Sequence, residues 1–236
     1  MSLNMVTRRS RPRRWPLGTV AAVLLVLVGA GITYRSLGSS TADAAHVSRP
    51  VRAPYSADQL TGAMLGSAFF GAGFLAQPVD RAQATTGCLQ LDDALALHGR
   101  NHRIVRQGFI NSSNGATIVE QLRTESSDRM GAGFDAAAAA LGTCATISFV
   151  APGAGRLPLT TYAQDAFVNG VPTVARKLQG VVGGVYLTAL IGIAHPTPAS
   201  ELVLIYLNPA DVTDMTQALD TFVSAASGAH NALGVR

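Results

Sequence analysis

The sequence predicts a mixed α+β domain, in which an antiparallel sheet of about five to six strands packs with two long helices and follows a single transmembrane helix. Three observations support this. An uncharged run of twenty residues lies near the N-terminus, short strand-like segments separated by turn residues fill much of the remainder, and two later segments carry apolar residues at helical spacing. Strands joined by short connections pair antiparallel, and helices with one apolar face pack on the sheet.

The uncharged run covers residues 15–34, and we expect it to form a transmembrane helix or an uncleaved signal anchor. A helix of this length spans roughly 30 Å, which matches the hydrocarbon core of a bilayer. Five arginines precede the run, and only Arg35 follows it closely. Because basic residues stay on the cytoplasmic side, residues 1–14 are expected to be a cytoplasmic basic tail, in a single-pass protein of the cell membrane.

A cleaved signal peptide is the alternative for the same segment, because it also places a basic region before an apolar one. Cleavage near Ala44, within the small-x-small pattern Ala42-Asp43-Ala44, would give a secreted protein. That pattern lies about ten residues beyond an apolar run that is itself long for a signal peptide, so we favour the anchor. The Thr7-Arg8-Arg9 sequence leaves a twin-arginine export signal open.

Charge is distributed unevenly along the chain. The whole sequence has 18 basic and 14 acidic residues, and six of the basic residues but none of the acidic ones lie at or before Arg35. The remainder therefore has 12 basic and 14 acidic residues, a net charge of −2. Because the positive charge belongs to the membrane segment, no electrostatic argument remains for nucleic acid as a partner.

The segment after the membrane run divides into a linker and a domain. Residues 35–54 are small, polar and proline-containing, which is typical of a flexible linker. Residues 55–236 are long enough to form one extracytoplasmic domain with its own core. Ser56 and Gln59 form a capping-box pattern, so a short helix is expected to begin there.

Residues 66–86 are rich in Gly, Ala and Phe and are expected to form a loop. Its three phenylalanines, Phe69, Phe70 and Phe74, either enter the core or line a ligand-binding groove, and they are our candidate ligand-binding residues. Cys88 is expected to open a short helical segment that Gly99 ends.

Strand signals dominate the middle of the chain. Asn114-Gly115 is a hairpin turn signal between two predicted strands, Ile104–Ile110 and Ala116–Thr124. The second of them mixes polar and apolar residues, which predicts one partly solvated face. His195 and the prolines after it are expected to end the strand that precedes them. Further strands are predicted over Thr146–Val150, Leu157–Tyr162, Thr173–Leu178, Val185–Ala194 and Leu202–Leu207, and the last, apolar on both alternations, is expected to be central and covered on both faces.

The two long helices follow from apolar residues at helical spacing. Ser127 is expected to cap the first, whose core-facing residues are Met130, Phe134, Ala137 and Leu141. Pro209 and Asp211 are expected to begin the second, whose buried positions are Val212, Met215, Leu219, Phe222, Ala226 and Leu233.

Cys88 and Cys144 are the two cysteines of the sequence, and the predicted topology places both on the oxidising side of the membrane. An even number of cysteines in an exported domain predicts a disulfide, with two separate buried thiols as the alternative. The bridge would stabilise the fold by about 4 kcal/mol in the chain-entropy model. A zinc site needs more ligands than this pair offers.

The order of these elements carries a family resemblance. A capped helix of the Ser-Ala-Asp-Gln-Leu type at Ser56 is followed by Cys88-Leu89, by the Ala-rich segment from Ala136 to Cys144, and by the strand from Leu202 to Tyr206. This layout resembles the extracytoplasmic sensor domain of actinobacterial membrane proteins and lipoproteins, which also forms the external part of a mycobacterial receptor Ser/Thr kinase of the PknH type.

The resemblance covers about residues 55–234 and implies a single sheet crossed by two helices, with a cleft that binds an unidentified ligand. This chain differs from the kinase version because no kinase domain precedes its membrane segment and it has one cysteine pair where the kinase version has two. Any signalling output is therefore expected to come from a partner protein of the envelope.

Catalytic candidates are weak. His98 and His102 are four residues apart, but Gly99 lies between them and no carboxylate neighbour completes a metal site. Asp93 and His195 have no recognisable partner in sequence. We therefore expect no catalytic activity, no metal and no cofactor.

Three functions remain as hypotheses. The first is a membrane-anchored sensor or ligand-binding domain for a small or apolar ligand, which a shallow polar cleft would favour. The second is an envelope carrier of an apolar or lipid ligand, which a dry apolar cavity would favour. The third is an interaction subunit of an envelope complex, which a flat apolar patch would favour.

Overall fold

The computed structural model of the protein describes residues 54–70, 73–79, 86–95, 102–151, 155–210 and 214–234. The predicted cytoplasmic tail, the predicted transmembrane helix and residues 35–53 of the predicted linker lie outside these ranges. Among the residues described, no helix is long and apolar enough to cross a membrane.

The described residues form one eight-stranded antiparallel sheet, in the order β1-β2-β3-β8-β7-β6-β5-β4. The strands are β1 (Phe74–Gln77), β2 (Arg103–Asn111), β3 (Thr117–Thr124), β4 (Thr146–Ala151), β5 (Gly155–Gln164), β6 (Thr173–Val182), β7 (Val185–Thr197) and β8 (Ser200–Asn208).

The antiparallel α+β class is confirmed, but the predicted number of five to six strands is wrong. Seven of the eight strands overlap the seven strand segments predicted above, and the eighth, β1, lies inside residues 66–86, which the sequence predicted to be a loop. Four residues there pair with β2, from Phe74 opposite Asn111 to Gln77 opposite Gly108. A four-residue edge strand is held by backbone hydrogen bonds to its neighbour, so its own side-chain pattern is too short to reveal it.

Five helices lie in the described ranges, and two of them are the long helices that the sequence predicts, although Ser126 rather than Ser127 is the N-cap of the first. They are α1 (Ala57–Gly62), α2 (Ser67–Phe70), α3 (Leu89–Leu95), α4 (Ser127–Thr143) and α5 (Thr216–Gly234). The predicted capping box at α1 is present, since Gln59 N donates to Ser56 Oγ and Ser56 N donates to Gln59 Oε1.

The sheet separates two hydrophobic cores. The α4-side core contains α3 and α4 with strand residues such as Val203 and Ile205, and the α5-side core contains α1 and α5 with residues such as Leu204 and Tyr206. Successive residues of β8 thus enter opposite cores, as the period of two in a strand requires. The predicted central strand covered on both faces is confirmed.

The prediction that strand β3 has one partly solvated face is wrong. All eight of its residues are buried, including Glu120 and Arg123. Its neighbours in the sheet are β2 and β8, and the helices of the two cores cover its faces. The polar residues that suggested solvent instead make buried contacts, which are described below.

Strand β7 and helix α5 also differ from the prediction at their ends. β7 continues through His195 to Thr197, and His195 N donates to Pro172 O (2.9 Å). Pro196 has no N–H to donate to the ladder, and it lies where the pairing of β7 with β8 shifts register, between Ala194 and Thr197. The predicted start of the last helix at Pro209 is wrong, since α5 begins at Thr216.

Two tight turns and one close helix–sheet approach depend on glycine. Gly115, with φ +75°, lies in the predicted β2–β3 turn, and Gly183 and Gly184, with φ +58° and +83°, join β6 to β7. In β7, a Cβ atom at Gly192 would lie only 2.5 Å from the ring of Phe222. The absence of a side chain at Gly192 therefore allows α5 to pack directly on the sheet.

Two long-range links connect the elements. Cys88, just before α3, and Cys144, at the end of α4, form the predicted disulfide, with their Cα atoms 6.1 Å apart. Tyr55 donates from its hydroxyl to Thr197 Oγ1 (3.1 Å) and to Leu233 O (3.2 Å). The start of the described chain is therefore fixed beside the β7–β8 turn and the C-terminal end of α5.

Candidate functional site

A cavity of about 430 Å³ lies on the α5 side of the sheet, where α2 and β1 face the first turns of α5. Ile118 of β3 and Tyr206 of β8 belong to its lining and lie side by side in the sheet. We call it the α5-side cavity. It is lined by Phe69, Phe70, Phe74, Ile118, Tyr206, Asp214, Thr216, Gln217, Asp220 and Thr221.

The three phenylalanines that the sequence singled out all line this cavity. The ring centroids of Phe69 and Phe70 are 5.3 Å apart with perpendicular planes, and those of Phe70 and Phe74 are 5.6 Å apart. Phe70 also contacts Phe109 of β2 at 4.7 Å, which attaches the group to the α5-side core. Phe74 is buried whereas Phe69 is 49% exposed, so the group joins the core at one end and reaches solvent at the other.

The opposite side of the cavity is polar and belongs to the start of α5. Asp214 Oδ1 accepts hydrogen bonds from Thr216 N (2.9 Å) and Thr216 Oγ1 (2.6 Å), and these bonds lower the pKa of Asp214. Asp220 follows on α5 and is exposed. No lysine, arginine or histidine of the described residues lines the cavity.

Among the described sheet residues that line the cavity, Tyr206 is the polar one. It is 4% exposed, and its hydroxyl makes no hydrogen bond within the described part of the chain. Burial raises the pKa of Tyr206, so the phenol stays protonated at neutral pH. A phenol in the lining of a cavity can donate to, or accept from, a group inside it.

A buried carboxyl group positions the segment that carries the phenylalanines. Glu120 Oε2 accepts hydrogen bonds from Leu65 N (3.1 Å) and Gln107 Nε2 (2.6 Å), and Gln107 Nε2 also contacts Leu65 O at 2.5 Å. Burial raises the pKa of Glu120 to about 7, although both hydrogen bonds act to lower it. Glu120 thus joins the connection between α1 and α2 to the centre of the sheet.

A second polar group lies in the α4-side core. Arg123 of β3 and Glu201 of β8 are paired across the ladder and form an ion pair with both side chains fully buried. Arg123 also donates to Leu95 O at the end of α3. Burial raises the pKa of Glu201, and the neighbouring guanidinium opposes that shift. The pair fixes α3 relative to two central strands, which is a structural role.

The weak catalytic candidates considered from the sequence lie on or beside different elements where the structure describes them. His195 stacks on Phe134 of α4, with ring centroids 5.5 Å apart, and burial lowers its pKa. Asp93 is exposed on α3, His102 precedes β2, and His98 lies outside the described residues. In the described ranges, no group of three or more His, Cys, Asp or Glu side chains could hold a metal ion.

Sequence reasoning identified the aromatic half of the cavity but missed its polar half. Asp214, Asp220 and Tyr206 come from the opposite end of the chain to Phe69, and no local pattern links them. The Asp-x-Thr sequence at Asp214–Thr216 was the available signal, because it forms the turn that starts α5.

The fold and the cavity define an α+β domain with a cavity on one face of its sheet, half of whose lining is aromatic or aliphatic and half polar, including two aspartates. No family model matches the sequence, and no curated protein matches it. Among solved structures, an uncharacterized protein (Rv0999 ortholog) from Mycobacterium smegmatis is similar at 11% identity with a TM-score of 0.38, over 69% of this chain and 92% of that chain. This likeness is too distant to define a family or a function.

Proposed function

We propose that the protein is a membrane-anchored extracytoplasmic ligand-binding domain of the sensor type, without catalytic activity, and that the α5-side cavity is its ligand site. The observation that carries the proposal is a cavity of about 430 Å³ in which aromatic rings face polar side chains. Its volume falls within the range of about 300–1,000 Å³ typical of small-molecule sites, and such sites combine apolar walls with a few polar groups.

The character of the cavity favours a sensor over a lipid carrier. Its edge is formed by exposed residues of α5, such as Thr216 and Gln217, and by the half-exposed ring of Phe69. A carrier that shields an acyl chain needs an enclosed apolar space, whereas reversible binding of a small molecule needs access and directional polar contacts. The polar half of the lining provides those contacts.

A carrier of an apolar ligand remains the second candidate, because three aromatic rings and Ile118 form a continuous apolar part of the lining. The chain would act as an interaction subunit instead if a partner covered exposed apolar side chains such as Leu75 and Tyr186. In the sensor proposal, binding is transmitted to an envelope partner through the domain, as the resemblance to the receptor-kinase sensor implies.

Native mass spectrometry of the full chain, purified from membranes of its own host, tests the proposal. We expect a co-purified small molecule on the wild-type protein. Phe69→Ala should lose it, because the substitution removes a cavity-lining ring that is half exposed. Phe167→Ala is the matched control, since Phe167 is 82% exposed and does not line the cavity.

The melting temperature provides a second measurement. Adding back the identified molecule should raise the melting temperature of the wild type and of Phe167→Ala, and should leave that of Phe69→Ala nearly unchanged. Equal occupancy and equal shifts in the two variants would place the ligand elsewhere. A bound long-chain lipid would favour the carrier.

A further inference from the structure

We infer that the ligand of the α5-side cavity is cationic, with an apolar body for the aromatic wall and a protonated amine for the acidic side. This inference rests on the proposed ligand-binding function and specifies the class of ligand. Three features of the cavity support it: the sign of its charge, its aromatic wall and the largely buried Tyr206 in its lining.

The first feature is charge. Asp214 and Asp220 line the cavity, and no basic side chain of the described residues does. The start of a helix ordinarily attracts anions, but Asp214 already accepts the hydrogen bonds of Thr216 N and Thr216 Oγ1. The helix end is therefore neutralised from within the chain, and the cavity presents a net negative edge to an incoming molecule.

The second feature is the aromatic wall. Phe69 and Phe70 meet edge to face, with an angle of 88° between their planes, and Phe69 is half exposed beside the cavity. The face of an aromatic ring attracts cations electrostatically, while an apolar body gains by burial against the same rings. An anion would gain the second interaction but would be repelled by the first.

The third feature is Tyr206. Its side chain is more than nine-tenths buried and lines the cavity, and its hydroxyl has no hydrogen-bond partner among the described residues. An ammonium group donates up to three hydrogen bonds and accepts none. The Tyr206 oxygen can accept one of these bonds, and the carboxylates of the α5 edge can accept the others.

Three probes with the same aromatic body test the inference on the full chain, kept in one non-ionic detergent: 2-phenylethylamine, 2-phenylethanol and 3-phenylpropionate. Isothermal titration calorimetry should show the amine binding about tenfold more tightly than the alcohol, and the acid binding most weakly. Asp220→Asn should abolish most of the difference between amine and alcohol. Asp128→Asn is the matched control, because Asp128 is exposed on α4, on the other face of the sheet.

The outcomes distinguish the cationic nature of the ligand from ligand binding by the cavity in general. Equal binding of amine and alcohol, or tighter binding of the acid, would overturn the cationic ligand and leave the cavity as a ligand site. A preference for the amine that survives in Asp220→Asn would also overturn it. If none of the three probes binds, both the inference and the proposed function of the cavity fail.

Discussion

Glu120 is the residue through which pH should act on this fold. Its carboxyl group is fully buried in the α5-side core, where burial raises its pKa from 4.5 to about 7. The folded state therefore binds this proton more tightly than the unfolded state does. Stability from this group is fully present below pH 4.5 and falls as the pH rises towards 7, by about 3 kcal/mol in total.

Replacing Glu120 by Gln should remove that dependence. We expect the free energy of unfolding of the wild type to decrease, relative to that of Glu120→Gln, between pH 4.5 and 7, because the amide has no proton to lose in that range. Urea unfolding at half-unit pH intervals measures the difference between the two curves. Parallel curves for the two proteins would show that the carboxyl group titrates alike in the folded and unfolded states.

The burial of charged residues in β3 could not be predicted from the sequence. Glu120 and Arg123 were interpreted as signs of a solvated face, because charged side chains are rarely buried without partners. Their partners, Leu65 N and Glu201, lie far away along the chain. Only the fold brings these groups together, so no local pattern could predict that β3 is buried on both faces.

At the scale of elements, the contact between β7 and α5 gives a sharp test. Gly192→Ala places a methyl group within 2.5 Å of the Phe222 ring, which is fully buried and cannot move aside freely. We expect a loss of about 1–3 kcal/mol in the free energy of unfolding, measured by chemical denaturation.

Gly228→Ala is the matched control in α5. A Cβ atom at Gly228 meets nothing within 4 Å, and alanine favours a helix interior over glycine by up to about 1 kcal/mol. This variant should therefore be as stable as the wild type or more stable. A similar loss in both variants would argue against close packing of α5 on the sheet.

The disulfide between Cys88 and Cys144 links two elements of the α4-side core. Replacing both cysteines by alanine should lower the free energy of unfolding by about 2–5 kcal/mol, because the bridge restricts the unfolded chain across 56 residues of sequence separation. The melting temperature should fall by several degrees or more. Two titratable thiols in folded, unreduced wild-type protein would contradict the bridge.

Elements with a strong periodic pattern were predictable, and elements defined by their neighbours were not. Met130, Phe134 and Leu141 gave α4 its buried face, and the doubly apolar Leu202–Leu207 gave the central strand. In contrast, β1 is a strand because its backbone pairs with the edge of β2. Helix α5 begins at Thr216, later than predicted, because the side chain of Asp214 accepts a hydrogen bond from Thr216 N in the turn before it. These features depend on contacts rather than on composition.

At the scale of the whole molecule, the direction of the chain across the membrane is the main prediction. Five arginines before residues 15–34, against one just after them, predict that the N-terminus is cytoplasmic and that the domain is outside. Protease added to intact spheroplasts should remove the domain and spare an N-terminal tag. A digested tag with a protected domain would establish the opposite direction.

The hydrogen bonds of Tyr55 determine where the chain enters the domain relative to the cavity. They fix the beginning of the domain beside Leu233, at one end of α5, whereas the cavity lies at the other end of the same helix, beside Thr216. A helix of 19 residues is about 28 Å long. The chain therefore enters the domain at the end of α5 opposite the cavity, about 28 Å away from it.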